Sequence, residues 1–138
     1  MSDWNDSIIA EFRDNDGKVG GPFEGAALLL LTTTGAKSGQ PRVSPMVYFV
    51  EPEGTFVVAS KGGAPSHPGW FHNLTSNPTV GVEMATPNGI DRFEGTARVV
   101  DESLRDGLFA RLAARNPAFA SYQSKTERKI PVVAIERN

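Results

Sequence analysis

A chain of 138 residues with a formal net charge of −2, 39% apolar and 22% charged residues has the composition of one ordinary globular domain, not of a disordered or fibrous chain. The charge argues against the basic footprint of a general nucleic-acid binder, and the absence of cysteine excludes disulfides, thiolate metal centres and a cysteine nucleophile. The longest aliphatic run, Ala26 to Leu31, is far short of the roughly 20 residues of a spanning helix, and the acidic N-terminus carries no signal pattern. A cytoplasmic protein, at most peripheral to the inner face of the membrane, is expected.

Asp3 can cap a first helix in which Trp4, Ile8 and Phe12 recur every four residues, and which must stop before Gly17, Gly20, Gly21 and Pro22. Residues 1–24 therefore read as a helical arm. Its acids Asp3, Asp6, Glu11, Asp14, Asp16 and Glu24 would be repelled by anionic lipid, which favours packing over the binding groove of the domain above membrane contact. Ala26 to Thr33 reads as a buried strand, and Val43 to Val50 as its hairpin partner across the Gly35 to Pro41 turn. A third strand, Thr55 to Ser60, follows the Pro52-Glu53-Gly54 turn.

His67 to Ser76 has helical spacing of Trp70, Phe71 and Leu74, and Asn77-Pro78 ends it because a residue before proline avoids the α region. Val80, Val82 and Met84 alternate, as do Phe93, Gly95, Ala97 and Val99, so two strands flank the Thr86-Pro87-Asn88-Gly89 turn. Asp101 can cap a helix with Leu104, Leu108 and Leu112 on one stripe, Asn116-Pro117 breaks it, and Ile130 to Ile135 supplies a sixth strand. With no repeat or linker, residues 1–138 form a single domain. About six mostly antiparallel strands and three or four helices, without strict βαβ alternation, predict an α+β, mainly β fold: an antiparallel sheet or small barrel with peripheral helices.

Two segments carry candidate chemistry. Gly35-Ala36-Lys37-Ser38-Gly39-Gln40-Pro41-Arg42 and Ser60-Lys61-Gly62-Gly63 combine glycines, which let backbone N–H groups approach an anion, with cations and no acid. The first is no P-loop, since Ala36 stands where glycine must precede the Lys-Ser pair, and taken alone it can equally be a polar hairpin turn. The second segment repeats the arrangement and strengthens the reading of a small-anion site. Trp70 and Phe71 are core candidates, but adjacent helical positions diverge by about 100°, so one can face a ligand, with Asn73 on the face of Trp70. His67 and His72 do not share a helical face and make a poor metal pair. No nucleophile elbow, His-Glu motif or carboxylate pair appears, so in an enzyme the reactive atom would belong to a bound cofactor.

Four strings resemble the deazaflavin-dependent nitroreductase family in order and spacing, over nearly the whole chain. They are Leu30 to Arg42, Ala59 to Gly63, Pro68-x-Trp70-x-x-Asn73-Leu74-x-x-x-Pro78, and Tyr122-Gln123-x-x-Thr126-x-Arg128-x-Ile130-Pro131-Val132-Val133. The resemblance implies a split β-barrel of the flavin-reductase type and bound coenzyme F-420, whose phosphate and glutamate tail need cations and whose flat ring needs an apolar slot. By matching positions it implies cofactor contacts from Lys37, Ser38, Arg42, Pro45, Ser60, Lys61, Gly62, Gly63, Trp70 and Asn73, with no metal. On that reading, Tyr122 and Ser60 are our candidates to hydrogen-bond an electron-poor acceptor, a quinone or nitro compound, as hydride arrives. Ala36 replaces a basic residue common in relatives, which implies weaker tail binding, and Lys125 among Phe119 and Tyr122 argues against bulky nitroimidazoles. A homodimer fits the habit of flavin-binding split barrels. FMN in the same barrel, or a non-catalytic deazaflavin carrier, are the alternatives at this level.

Overall fold

The computed structural model describes residues 3–20, 27–60, 63 and 67–138. The elements run α1 (Asp3–Asp14), β1 (Leu28–Thr34), β2 (Pro41–Val47), β3 (Phe49–Glu51), β4 (Gly54–Val58), α2 (Gly69–Ser76), β5 (Thr79–Thr86), β6 (Gly89–Val99), α3 (Glu102–Arg115), α4 (Ala118–Ser124) and β7 (Val132–Arg137). The strands form one sheet in the order β2-β1-β5-β6-β7-β4-β3, every pairing antiparallel. Among the described helices none is long and apolar enough to cross a membrane.

The expected single strand over Val43 to Val50 is two strands, which makes seven in place of about six. They break at Tyr48, whose N–H bonds back to Ala27 O at 3.0 Å while its hydroxyl donates to Ala85 O at 2.6 Å. This break curls the sheet. β2 and β3 occupy opposite ends of the strand order, yet only Tyr48 separates Val47 from Phe49, so the two edges meet within about 7.6 Å, twice the spacing of consecutive Cα atoms. A sheet joined edge to edge by one residue must curl, and β2 does pack against β4. The result is a curled, incompletely closed barrel.

Leu28 to Leu31 are all at most 1% exposed because β1 is covered on both faces, which explains an aliphatic run without alternation. Leu29 and Leu31 point into the barrel with Val57, Val80, Val82, Ala97, Val133 and Ile135, where Leu74 of α2 plugs the interior. Leu28 and Leu30 point outward beneath Ile8 and Phe12 of α1. A third cluster joins α3 and α4 to the outer side of β4 and β7 through Phe56, Val58, Leu108, Phe109, Leu112, Phe119 and Val132.

The N-terminal stripe is therefore part of the domain: Phe12 is fully buried and Ile8 7% exposed, while the side chain of Trp4 lies outside the described portion. α1 covers the face of β1 opposite the one that meets α2. Arg13 forks onto Glu83 at 3.0 and 2.7 Å, and Gly17, at φ +88, lies so close to β5 that a Cβ there would sit 2.6 Å from Ala85 Cβ. The Arg13 hydrogen bond holds the Glu83 carboxyl below the usual carboxylate range despite burial that opposes it. A depressed acid stabilises above its unfolded value, so this contribution is present above about pH 4.5 and is lost as pH falls through the lower folded value. Because the Arg13 side chain is 44% exposed, Arg13→Ala should cost no more than about 1 kcal/mol in urea unfolding at neutral pH, and less in acid.

Candidate functional site

The first glycine segment is a tight turn between β1 and β2. Gly35 N–H donates to Gln40 O at 2.8 Å, Gly39 N–H to Gly35 O at 2.9 Å, and Gln40 N–H to Ser38 Oγ at 3.2 Å. Gly39 adopts φ +69, which a glycine accepts without strain. These bonds push Ala36, Lys37 and Ser38 outward as an exposed tip.

Asn73 fixes that tip to α2. Its Oδ1 accepts the Ala36 N–H at 3.0 Å and its Nδ2 donates to Thr33 Oγ1 at 3.1 Å, and Thr33 is 1% exposed. Arg42 lies directly across from Thr33 in the β1–β2 register, so its side chain leaves the sheet on the face that Asn73 grips. Lys37 and Arg42 are thus brought to one end of one hairpin, beside α2. Pro45 is not on that face: it pairs with Leu30, whose side chain points beneath α1. Prolines 41 and 45 still have a place on β2, because Tyr48 N–H points to β1 and the N–H positions of alternate odd residues point to the open edge, where a missing donor is harmless.

Apart from Lys18, Lys125 and the carbonyl-bound Arg128, the described cations other than Lys37 and Arg42 meet carboxylates. Among the described residues, Arg13 and Arg92 meet Glu83, Arg98 meets Glu136, Arg105 meets Asp106, Arg111 and Arg115 meet Glu51, and Arg137 meets Asp91. Lys37 and Arg42 have no described carboxylate within ion-pair distance. Exposed cations without a counter-ion, on a turn held by side-chain bonds, form a receptive site for an anion.

The second segment starts where β4 ends. Ser60 O accepts Gly63 N–H at 3.0 Å and an Arg128 N–H at 2.8 Å, and Arg128 also donates to Ala59 O at 3.0 Å. Gly63 has φ +84, and a Cβ there would lie 2.6 Å from Tyr122 O. Ser60 and Tyr122 therefore flank Gly63. Both are half-buried, and among the described residues neither hydroxyl has a hydrogen-bond partner. Tyr122 rests edge-on against Phe119 at 6.1 Å, with Lys125 Nζ 5.9 Å from its ring. Lys61 and Gly62 lie outside the described residues.

Trp70 and Phe71 are both half-buried against the barrel interior, and Phe71 stacks on His67 at 4.6 Å. His67 sits in a cationic setting: its Nδ1 is 3.0 Å from Arg128, its ring is 5.8 Å from His72, and burial and then Arg128 hold its pKa below the usual histidine value. Among the described residues no group of three or more His, Asp or Glu could hold a metal ion.

Arg128, Gln123 and Arg105 are the residues that periodicity missed. Gln123 Nε2 donates to Arg128 O at 2.7 Å, and its Oε1 accepts from Ile130 N–H at 3.0 Å and from Arg105 at 2.6 Å. The Tyr122-to-Val133 string is thus the support under the second glycine segment. Apart from its place among the strings that carry the family resemblance, its sequence signal was a run of polar residues, without periodicity, between a helix and a buried strand.

A curled antiparallel barrel with a candidate anion site at one end defines a protein of the flavin-reductase-like split-barrel class. The model of the family described as F-420H(2)-dependent quinone reductase matches residues 5–137, and the chain belongs to that family. An F-420H(2)-dependent quinone reductase of Mycobacterium tuberculosis is 42% identical over 134 residues, covering 93% of this chain and 86% of that protein. Of the solved structures, an F-420-H2-dependent reductase is 41% identical at a TM-score of 0.65, covering 79% of this chain and 93% of that one. A domain-swapped dimer is 36% identical at a TM-score of 0.68, covering 97% and 98%.

Proposed function

We propose that the protein is an F-420H2-dependent oxidoreductase that delivers a hydride to a quinone, binding the coenzyme's anionic portion at the Lys37 turn and the segment beginning at Ser60. The carrying observation is the pair Lys37 and Arg42, exposed and without a carboxylate on a turn that Asn73 ties to α2. That donor set fits a phosphate and a carboxylate tail. Lys37, Ser38, Arg42 and Lys61 would hold the anionic portion, with Gly62 and Gly63 letting the backbone approach. Trp70, Asn73 and Ser60 would bound the ring, with Pro45, whose own ring takes the place of an N–H at the open edge of β2, as its border.

Reduced F-420, when bound, supplies the hydride. This chain supplies placement and polarity: Tyr122 and Ser60, whose backbones flank Gly63, would donate hydrogen bonds from their hydroxyls to an acceptor oxygen as it gains negative charge, with Trp70 and Phe71 keeping water from the barrel side. A quinone carbonyl suits two such donors better than it suits a charged base. The active form is a homodimer, a reading supported by the dimeric relative and checked by sedimentation velocity.

Mixing the protein with reduced F-420 and menadione should give protein-dependent reoxidation of the coenzyme, followed by absorbance. No rate with any quinone would overturn the reductase. Lys37→Ala should weaken F-420 binding by about 1.5–3 kcal/mol, the scale of a hydrogen bond to a charged group, measured by quenching of tryptophan fluorescence. FMN titrated in the same way should bind more weakly than F-420.

A further inference from the structure

We propose that Arg128 and His67 form a positioning pair for the anion-binding segment that begins at Ser60, closed only while His67 is neutral. The inference rests on the coenzyme reading above. One guanidinium joins three separate stretches of chain: it donates to Ala59 O and Ser60 O at the end of β4, and to His67 Nδ1 just before α2, from the loop that follows α4. A guanidinium cannot accept a hydrogen bond, so Nδ1 must be the unprotonated nitrogen, with the ring proton on Nε2. Gln123 holds the Arg128 carbonyl in turn, so the fork has a fixed base.

Protonation would remove the acceptor and place two cations 3.0 Å apart. The described groups that face His67 offer no relief. Arg128 comes from the C-terminal loop, His72 from one turn further along α2, and Phe71 is an uncharged ring. Burial first, then Arg128, holds the His67 pKa below the 6.5 of a free histidine. A depressed histidine contributes fully above its unfolded value, so the pair is intact above about pH 6.5 and opens as pH falls through the lower folded value. Opening releases the Ala59 and Ser60 carbonyls, and with them the placement of Ser60 and of Gly63, whose N–H the Ser60 carbonyl accepts. Affinity for the anion should then fall in acid. A histidine that merely added positive charge near the site would make it rise.

Oxidised F-420 is titrated into wild type, His67→Gln and Arg128→Gln between about pH 8 and pH 5.5, with tryptophan quenching as the readout. The wild-type loss of affinity over that range should exceed that of His67→Gln by at least about threefold, because only wild type carries the proton site that opens the pair. Protonation of the coenzyme itself is common to all three proteins and cancels in their ratio. Arg128→Gln should show the same flattened profile. Parallel profiles, or affinity that rises in acid, would overturn the pair. Without coenzyme, amide hydrogen exchange across residues 59–63, corrected for intrinsic rate, should accelerate in acid in wild type and not in His67→Gln. If no variant binds F-420 at any pH, the functional reading fails while exchange still decides the pair: acid acceleration confined to wild type supports it, and equal rates overturn it.

Discussion

Replacing Gly63 with alanine should destabilise the protein by about 2–4 kcal/mol and lower F-420 affinity at least tenfold, because two penalties coincide at this residue. Its φ of +84 lies in the left-handed region that a Cβ disfavours, and the added methyl would sit 2.6 Å from Tyr122 O and 3.1 Å from Lys125 Cβ. A backbone carbonyl cannot swing away as a side-chain tip can, so either the segment lifts off α4 or α4 shifts. Both responses separate Ser60 from Tyr122, the two donors proposed for the acceptor. Gly39 supplies the control: its φ is +69, yet an added Cβ meets nothing within 4 Å. Gly39→Ala should therefore cost only the torsional share, about 1 kcal/mol. Urea unfolding of both variants, with F-420 titration, checks the pair. Equal costs would mean that the contact with Tyr122 does not constrain the segment.

The architecture was legible where one kind of contact decides the structure. Pro78 after Asn77 and Pro117 after Asn116 stop α2 and α3, and the alternation of Val80, Val82 and Met84 fixes a strand whatever surrounds it. Periodicity left open whether the sheet closes, and only the family resemblance implied the split barrel. Nothing local distinguishes Tyr48 from its neighbours, because its hydroxyl meets Ala85, 37 residues away. The glycine and lysine content marked the candidate anion site, yet the role of Asn73 as a tie to Thr33 and Ala36 depends on contacts at separations of 37 and 40 residues. Pro45 shows the same limit in register: only the pairing with Leu30 reveals which face it occupies.

The α3 stripe gives the sharpest contrast between pattern and packing, and the largest expected effect. Spacing selects Leu104, Leu108 and Leu112, but Leu104 is 66% exposed and the buried side is Arg105, Leu108, Phe109 and Leu112. Arg105 reaches this position because each part of it has a partner. Nε donates to Ile130 O at 2.9 Å, Nη2 to Gln123 Oε1 at 2.6 Å, Nη1 to Asp106 at 3.0 Å, and the guanidinium lies 4.2 Å from the Phe109 ring centre. A buried cation with its donors occupied can displace a leucine from the core face, while a leucine at 105 would leave Ile130 O and Gln123 without this donor. Arg105→Ala should cost about 3–4 kcal/mol, from two weakened acceptors and the lost packing of the stem. Leu104→Ala should cost at most about 0.5 kcal/mol, as an ordinary surface change. The loss at Arg105 should also reach the site, since Gln123 holds the loop that presents Arg128 to Ala59 and Ser60. A double-mutant cycle between Arg105→Ala and Gln123→Ala should give a coupling of about 1–2 kcal/mol, as expected for members of one hydrogen-bond network. Strict additivity in urea unfolding would show that the two side chains act independently and that α3 does not support the second glycine segment.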